Sequence, residues 1–204
     1  MPEPHEAISS RTAARGSRGG CLSSLSLALV LVAAGGLALV YSGVYDVAAT
    51  QPHSRAARWV LGTLMERSVR SRAGDVPVPP AESEELLAMG FHHYDEMCAV
   101  CHGAPGVERG EIGEGMEPEP PALAEEAGEW TLPEIFWITS QGIKMAGMPA
   151  FRPTHSEEEL WGISMFVKRL PEMDAAEYAR LREEARGEGG GESSGSVPTP
   201  THTH

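Results

Sequence analysis

Cys98-Ala99-Val100-Cys101-His102 is the stretch that decides the fold of this 204-residue chain. Two cysteines three positions apart, followed directly by a histidine, form the C-x-x-C-H signature of covalent haem attachment. The thiols of Cys98 and Cys101 can add to the two vinyl groups of one porphyrin. An imidazole nitrogen of His102 is then held beside the iron, where it can bind as the proximal ligand. The stretch therefore predicts one covalently bound haem c.

A C-x-x-C pair also occurs in thioredoxin-like redox sites and in zinc sites. The thioredoxin interpretation requires a surrounding βαβ pattern, which this sequence lacks. The zinc interpretation requires a second C-x-x-C or a histidine pair at suitable spacing, and the sequence has neither. The third cysteine, Cys21, stands at the start of an apolar run. We interpret Cys21 as a thiol at the membrane edge without a catalytic role. Since the thioredoxin and zinc interpretations both lack their partner residues, iron in haem is the metal that this sequence predicts.

Candidates for the sixth iron ligand lie in residues 142–151, GIKMAGMPAF. Thioether sulfur is a soft ligand that suits haem iron and raises its reduction potential. Gly147 permits a close backbone approach, and Pro149 restricts the chain directly after Met148. Met148 is therefore the predicted distal ligand, and Met145 is the alternative. Three histidines are lesser candidates: His92, His93 and His155.

The N-terminal part of the sequence predicts a membrane anchor. Residues 1–20 are polar with several arginines, and we expect them to form a cytoplasmic tail. Residues 21–45 contain no charged residue, and at about 1.5 Å per residue they are long enough to cross a hydrocarbon core of about 30 Å. We interpret them as an uncleaved transmembrane signal anchor. A cleaved secretory signal is the alternative, but its apolar region would span only about 7–15 residues.

Residues 46–81 predict a basic helix followed by a linker on the far side of the membrane. The segment 54–73 combines helical apolar spacing with several arginines. It either lies along the outer leaflet as an amphipathic helix or continues the anchor as a stalk. The Pro-rich residues 74–81 predict a stiff linker. At the other end of the chain, residues 172–204 are acidic and then low in complexity, and we expect them to form a tail.

The sequence between linker and tail, residues 82–171, is expected to fold as a small all-α domain. Its helical patterns cover three segments: 82–97, 132–142 and 156–170. Ser156 and Glu159 form a capping box at the start of the last helix. Residues 103–131 are rich in Gly, Pro and Glu and predict a long irregular loop. Such a loop is unusual in a compact domain, but wrapping a cofactor edge would explain it.

Charge is divided unevenly along the chain. The formal net charge is −13, with +3 over residues 1–81 and −16 over residues 82–204. An acidic domain argues against a nucleic-acid partner and suits a protein partner with a basic docking face. The same charge is also typical of a domain that is simply kept soluble by it.

The order and spacing of these motifs resemble the class I monohaem c-type cytochromes, in a membrane-anchored bacterial form. The resemblance covers residues 82–171 and rests on four motifs: Gly90-x-x-x-Tyr94-x-x-x-Cys98-x-x-Cys101-His102-Gly103, Pro121-Ala122-Leu123, Gly147-Met148-Pro149-Ala150-Phe151 and Leu160-Trp161. It implies the class I cytochrome c fold, in which an N-terminal and a C-terminal helix cross around one covalent haem. A single transmembrane helix would precede that fold in this chain.

The resemblance also implies roles for individual residues. Gly90 would let the first helix cross the last one closely, with Tyr94 and Trp161 packed beside the contact. The carbonyl of Pro121 would accept the second ring proton of His102 and set its tautomer. Met148 would be the distal ligand.

Location and function follow from the same resemblance. Haem of this kind is attached on the outer side of the bacterial cytoplasmic membrane, so residues from 46 onward are expected in the periplasm. With His102 and Met148 both bound, the iron would have no open position and the protein would pass single electrons without being an enzyme itself. No small-molecule substrate is expected.

Three classes of function remain open from the sequence. The first is a membrane-tethered electron carrier of a respiratory chain. The second is a haem subunit of a periplasmic dehydrogenase or of a reductase or oxidase complex. The third is a catalytic or sensing haem protein with an open distal position.

Overall fold

The computed structural model describes residues 18–144 and 146–189. The chain divides into two compact units, and the boundary along the sequence lies between Val47 and Ala48. The predicted cytoplasmic tail up to residue 17, the alternative ligand Met145 and residues 190–204 lie outside the described residues. The helices are α1 (Arg18–Ser42), α2 (Arg55–Arg72), α3 (Glu84–His93), α4 (Ala99–His102), α5 (Glu111–Glu114), α6 (Leu123–Glu126), α7 (Leu132–Gln141), α8 (Glu157–Arg169) and α9 (Ala175–Gly189). In these described ranges isolated bridges occur but no β-strand forms, so the predicted all-α fold is confirmed.

Helix α1 is the main element of the first unit. Its segment Ser23–Ser42 has a mean hydropathy of 2.2, and none of it is buried. By length and composition this helix can cross a membrane, a property that it shares with signal sequences near an N-terminus. An apolar helix at this end of the chain fits a single-pass anchor. The side chain of Cys21 lies outside the described residues.

Helix α8 is the centre of the second unit. The predicted capping box forms at its start, where Glu159 Oε2 accepts the N–H of Ser156 over 2.7 Å and the Ser156 hydroxyl accepts the N–H of Glu159 over 3.3 Å. Every residue from Leu160 to Val167 is buried. A helix covered on all sides in this way is a core helix, and helices α3 and α7 pack against it.

Helices α3 and α8 cross at a pair of glycines. A Cβ atom added to Gly90 would lie 2.0 Å from the carbonyl oxygen of Gly162, and one added to Gly162 would lie 2.8 Å from the carbonyl oxygen of Leu86. Each backbone therefore occupies the space that a side chain on the other helix would need. The role of Gly90 is implied by the resemblance, whereas that of Gly162 becomes visible only in the folded chain.

The aromatic residues beside this crossing pack into two separate clusters. Tyr94 contacts Phe166, with 5.4 Å between ring centroids. Trp161 instead stacks on Phe136 of α7, with centroids 3.9 Å apart. Trp161 and Phe166 are five residues apart on α8, which separates their directions by about 140°. The two aromatics that the resemblance places beside the crossing, Tyr94 and Trp161, are thus both buried but belong to different clusters.

Packing continues beyond residue 171, where the sequence predicts the end of the domain. Tyr178 of α9 is fully buried, and its ring lies 5.6 Å from that of Phe91. Its hydroxyl donates to Asp95 Oδ1 over 2.8 Å, and Arg182 Nε lies 3.1 Å from the same oxygen. Helix α9 therefore contributes to the hydrophobic core, although the sequence assigns it to the acidic tail.

We expect Tyr178→Phe to lower the free energy of unfolding by about 1–2 kcal/mol, because the hydrogen bond to the partly buried Asp95 is lost while the ring is kept. Urea unfolding of the full chain measures this change. Arg180→Gln on the same helix is the control, since its ion pair with Glu184 is exposed and should change stability by less than about 0.5 kcal/mol. Equal stability of the Tyr178→Phe and Arg180→Gln variants would contradict the proposed contribution of this contact.

Helix α2 belongs to the second unit and packs against α7 through its C-terminal half. Val69 is fully buried, and Arg70 Nε lies 3.8 Å from Glu134 Oε1 of α7. Val76, in the predicted linker, packs against the cluster that contains Trp161. Neither of the two placements predicted for residues 54–73 included this contact with the domain.

Candidate haem site

The C-x-x-C-H stretch lies where the helical geometry of the chain changes. Helix α3 passes into a π-helical turn, Tyr94–Cys98, which is followed by α4 (Ala99–His102). Turns of this kind are frequent at functional sites. Gly103 follows with a φ of 66°, a conformation that favours glycine, and it ends the helix directly after His102. The two thiols and the imidazole are thereby held on adjacent turns.

The chain after His102 folds back onto this stretch. The hydroxyl of Tyr94 donates to the carbonyl oxygen of Gly103 over 2.6 Å. A Cβ atom on Gly113 would lie 2.7 Å from the carbonyl oxygen of Cys101, so the loop backbone lies directly against the motif. The segment predicted as irregular, 103–131, contains short helical turns, and one of them, α5, packs against α4 of the motif.

The side chains of the two cysteines, Cys98 and Cys101, are partly buried. Burial raises the pKa of the Cys98 thiol to about 12, and the neighbouring Cys101 thiol adds to the shift. Before haem is attached, this shift keeps the Cys98 thiol in its neutral form, which packs like a small apolar group.

The orientation of the His102 ring is set by Pro121. Nδ1 of His102 lies 2.9 Å from the carbonyl oxygen of Pro121, and because a carbonyl only accepts, Nδ1 carries the proton. Nε2 then has a free lone pair, which is the form of imidazole that binds a metal. Burial lowers the pKa of His102 and favours the neutral ring, while the contact with Pro121 acts in the opposite direction.

Met148 lies in a loop that closes on itself. The N–H of Ile143 donates to the carbonyl oxygen of Met148 over 3.2 Å. Gly142 and Gly147 have φ values of 65° and 74°, which allow the two sharp turns. A Cβ atom on Gly142 would lie 2.7 Å from the Met148 carbonyl oxygen, so the loop backbone fills the space beside Gly142. The loop holds Met148 in a partly buried position.

A third methionine, Met116, connects the loop of Met148 with the loop that follows His102. Its terminal methyl carbon lies 2.6 Å from the position that a Cβ atom on Gly147 would take. Met116 and His102 also line a cavity of about 720 Å³, whose other walls are formed mainly by residues 103–125. Cys98, Cys101 and Met148 are not among the residues that line this cavity, so it adjoins the motif on the side of His102. No motif surrounds Met116 in the sequence, so only the fold distinguishes it.

The histidines that were lesser candidates for iron ligands contact one another and nearby carboxylates. The rings of His93 and His155 lie 5.1 Å apart, and His93 Nε2 lies 3.5 Å from Glu159 Oε1. His92 Nε2 lies 3.5 Å from Glu96 Oε2 at the surface. These contacts place Nε2 of His92 and of His93 beside carboxylates.

The histidine cluster predicts a pH-dependent stability. Burial lowers the pKa of His93 below 6.5, nearby His155 acts in the same direction, and Glu159 opposes both. A histidine with a lowered folded-state pKa binds protons more readily in the unfolded chain, so stability falls as the pH drops through about 6.5. We expect a lower urea midpoint at about pH 5.5 than at about pH 7.5, and His93→Gln should reduce this difference.

The control for this measurement is His92→Gln, because the His92 ring is exposed on the same helix. It should keep most of the difference between the two pH values, because the His92 charge is a lesser cause of the lowered pKa of His93 than burial and His155. A pH dependence that is identical in all three proteins would contradict the role assigned to His93.

The residues of this site fit a covalently held haem. Two thiols for attachment and an imidazole with its Nε2 lone pair available lie on one short stretch of helix. A thioether and an imidazole are the donor set of haem in cytochromes c. The arrangement thus suits iron in a macrocycle that passes electrons.

Comparison with known proteins supports the same cofactor. The model of a protein family described as cytochrome C oxidase, cbb3-type, subunit III matches residues 85–167. No curated protein matches the chain. The matched residues extend from α3 to α8 and include the whole C-x-x-C-H stretch. The resemblance to c-type cytochromes is thereby confirmed, and these residues form a c-type cytochrome domain, which implies a covalently bound haem c and a role in electron transport.

Proposed function

We propose that this cytochrome is a membrane-tethered carrier of single electrons in a respiratory chain, on the periplasmic face of a bacterial cytoplasmic membrane. When bound, the haem iron accepts and releases one electron. One haem would be attached through Cys98 and Cys101, with His102 and Met148 as axial ligands. The hydrogen bond between His102 and Pro121 carries this proposal, because it leaves one ring nitrogen for the iron and fixes the ring's direction.

The surrounding chain would keep the site closed. The two glycine turns at Gly142 and Gly147 support Met148 in a fixed loop. If His102 and Met148 both bound the iron, no position would remain for a substrate or a diatomic gas. The close crossing of α3 and α8 resists movement of the helix that leads to His102, which keeps reorganisation during electron transfer small.

The tether and the location rest on α1 and on the haem motif. The segment Ser23–Ser42 has the length and hydropathy of a membrane span. Covalent haem attachment at a C-x-x-C-H stretch supports a periplasmic position for the residues that follow it. Tethering would raise the effective concentration of the haem domain near membrane-bound partners.

We propose that the redox partner presents a basic face. Acidic side chains are exposed in the loop that follows His102: Glu108, Glu111, Glu114, Glu119, Glu125 and Glu126. Charge of one sign around a docking site attracts a partner of the opposite sign and speeds association at low ionic strength. Electron exchange with such a partner should therefore slow as salt is added.

A second candidate function is that of a haem-bearing subunit in an oxidase complex. The observation that favours it is the matched family, which is described as a subunit of cbb3-type cytochrome c oxidase. The acidic surface would then form a permanent contact with a catalytic subunit. The haem chemistry of the chain is the same in both cases.

Purification of the full chain from membranes solubilised in mild detergent tests these proposals. A carrier elutes alone, with one haem per chain, whereas a subunit elutes in a fixed ratio with a catalytic subunit. Binding of carbon monoxide to the reduced protein without denaturant would contradict both candidate functions, because such binding requires an open position at the iron. Recovery of the chain in the soluble fraction before detergent is added would contradict the tether.

A further inference from the structure

The N-terminal half of α2 has an exposed apolar face. Trp59 is 72% exposed, Val60 51% and Leu64 64%, although all three are large apolar side chains. They lie within an arc of about 140° around the helix axis. Exposed arginines lie before and after them on the same helix: Arg55, Arg58 and Arg67. A helix with apolar and arginine side chains arranged in this way is typical of one that lies in a membrane interface.

The other side of α2 is joined to the haem domain. Val69 is fully buried, and Arg70 contacts Glu134 of α7. The free face of α2 therefore has a defined direction relative to the domain that carries the C-x-x-C-H stretch. Whatever binds this face also orients that domain.

Charge identifies the chemistry of the partner. Helix α2 carries five arginines and one glutamate, whereas residues 82–204 have a net charge of −16. A basic apolar face on an otherwise acidic domain is complementary to anionic phospholipid headgroups with acyl chains beneath them. Tryptophan is also enriched at this depth of the bilayer.

The chain connectivity keeps α2 near lipid. Residues 43–54 separate α1 from α2, and twelve residues span at most about 40 Å even when fully extended. We propose that α2 lies on the outer surface of the membrane with Trp59, Val60 and Leu64 inserted among anionic phospholipids, and that it thereby fixes the orientation of the haem domain. This inference rests on the tether that we propose for α1.

Cysteine labelling in vesicles tests the inference on the full, haem-loaded chain. Cys21→Ser provides a background in which Cys98 and Cys101 are bonded to haem, so an added cysteine is the reactive thiol. Val60→Cys reports on the free face of α2, and Glu183→Cys, at an exposed position of α9, is the matched control. The measurement is the rate of reaction with a neutral, water-soluble maleimide. Vesicles of phosphatidylcholine are compared with vesicles that also contain phosphatidylglycerol.

We expect the labelling rate at position 60, relative to position 183, to be about tenfold lower in the vesicles that contain phosphatidylglycerol. A tenfold change corresponds to about 1.4 kcal/mol, which is within what burial of one such side chain supplies. Changing Arg55, Arg58 and Arg67 together to glutamine should restore the labelling rate at position 60 to its value in vesicles of phosphatidylcholine alone. An equal ratio in both kinds of vesicle would overturn the inference, whether the position is open in both or covered in both.

Flotation of the same samples separates this inference from the proposed function. The chain should float with both kinds of vesicle through α1, whatever α2 does. Flotation with an unchanged labelling ratio overturns the lipid contact of α2 and leaves the tether intact. Loss of flotation from both kinds of vesicle overturns the tether and the lipid contact together.

Discussion

Replacing Met148 with alanine is expected to lower the reduction potential of the haem by about 100 mV or more, a fraction of the roughly 0.8 V range that axial ligands span. A thioether ligand raises the potential of haem iron, and its loss removes that effect. The iron would also gain an open position. Reduced Met148→Ala should therefore bind carbon monoxide without denaturant, and the sulfur–iron charge-transfer band of the oxidised protein should disappear.

Two other methionines serve as controls for this result. Met145→Ala removes the alternative ligand in the same loop. Met116→Leu removes the thioether whose methyl group lies beside Gly147 but keeps the apolar volume. Both variants should retain the charge-transfer band and a potential close to that of the unaltered protein. Loss of the band in either control, with its retention in Met148→Ala, would show that the ligand is a different methionine.

Gly90→Ala is expected to destabilise the folded chain by about 3 kcal/mol, at the upper end of what overpacking costs. The added methyl group would lie 2.0 Å from the carbonyl oxygen and 2.3 Å from the carbonyl carbon of Gly162. These are backbone atoms, so no side-chain rotation can relieve the overlap and α3 must move away from α8. Because α3 leads directly to the C-x-x-C-H stretch, the yield of haem-loaded protein should fall as well.

The matched control for this substitution is Gly62→Ala in α2. A Cβ atom on Gly62 meets no other atom within 4 Å, and the residue lies inside a helix. Alanine there should raise the free energy of unfolding by about 0.5–1 kcal/mol through helix propensity alone. Urea unfolding of the full chain compares the two variants. A Gly90→Ala protein as stable as Gly62→Ala would contradict the close crossing of α3 and α8.

Local patterns were sufficient to predict much of the fold. The capping box of Ser156 and Glu159 places the start of α8, because its hydrogen bonds join residues only three positions apart. The apolar run that became α1 is defined by composition alone. The C-x-x-C-H stretch is equally local, since its three functional side chains lie within five residues. Such features require no knowledge of how distant parts of the chain meet.

Contacts between distant residues could not be predicted in the same way. Gly162 follows Trp161 with nothing to mark it, and its importance appears only where α3 crosses α8. Tyr178 lies in a segment whose composition is that of a charged tail, yet its hydroxyl meets Asp95, 83 positions away. Met116 lies in a loop of Gly, Pro and Glu, and only the fold brings it to Gly147.

The sequence by itself determined that this chain is helical, that Cys98, Cys101 and His102 form a motif for covalent haem attachment, and that an apolar segment precedes them. These properties follow from side-chain chemistry and short spacings, which are present in the unfolded chain as well. The tertiary structure decided how α3 and α8 cross, that α9 belongs to the core, and that α2 is joined to the domain with an apolar face left free. Those outcomes depend on which surfaces exclude water together, and that choice is made only when the whole chain packs.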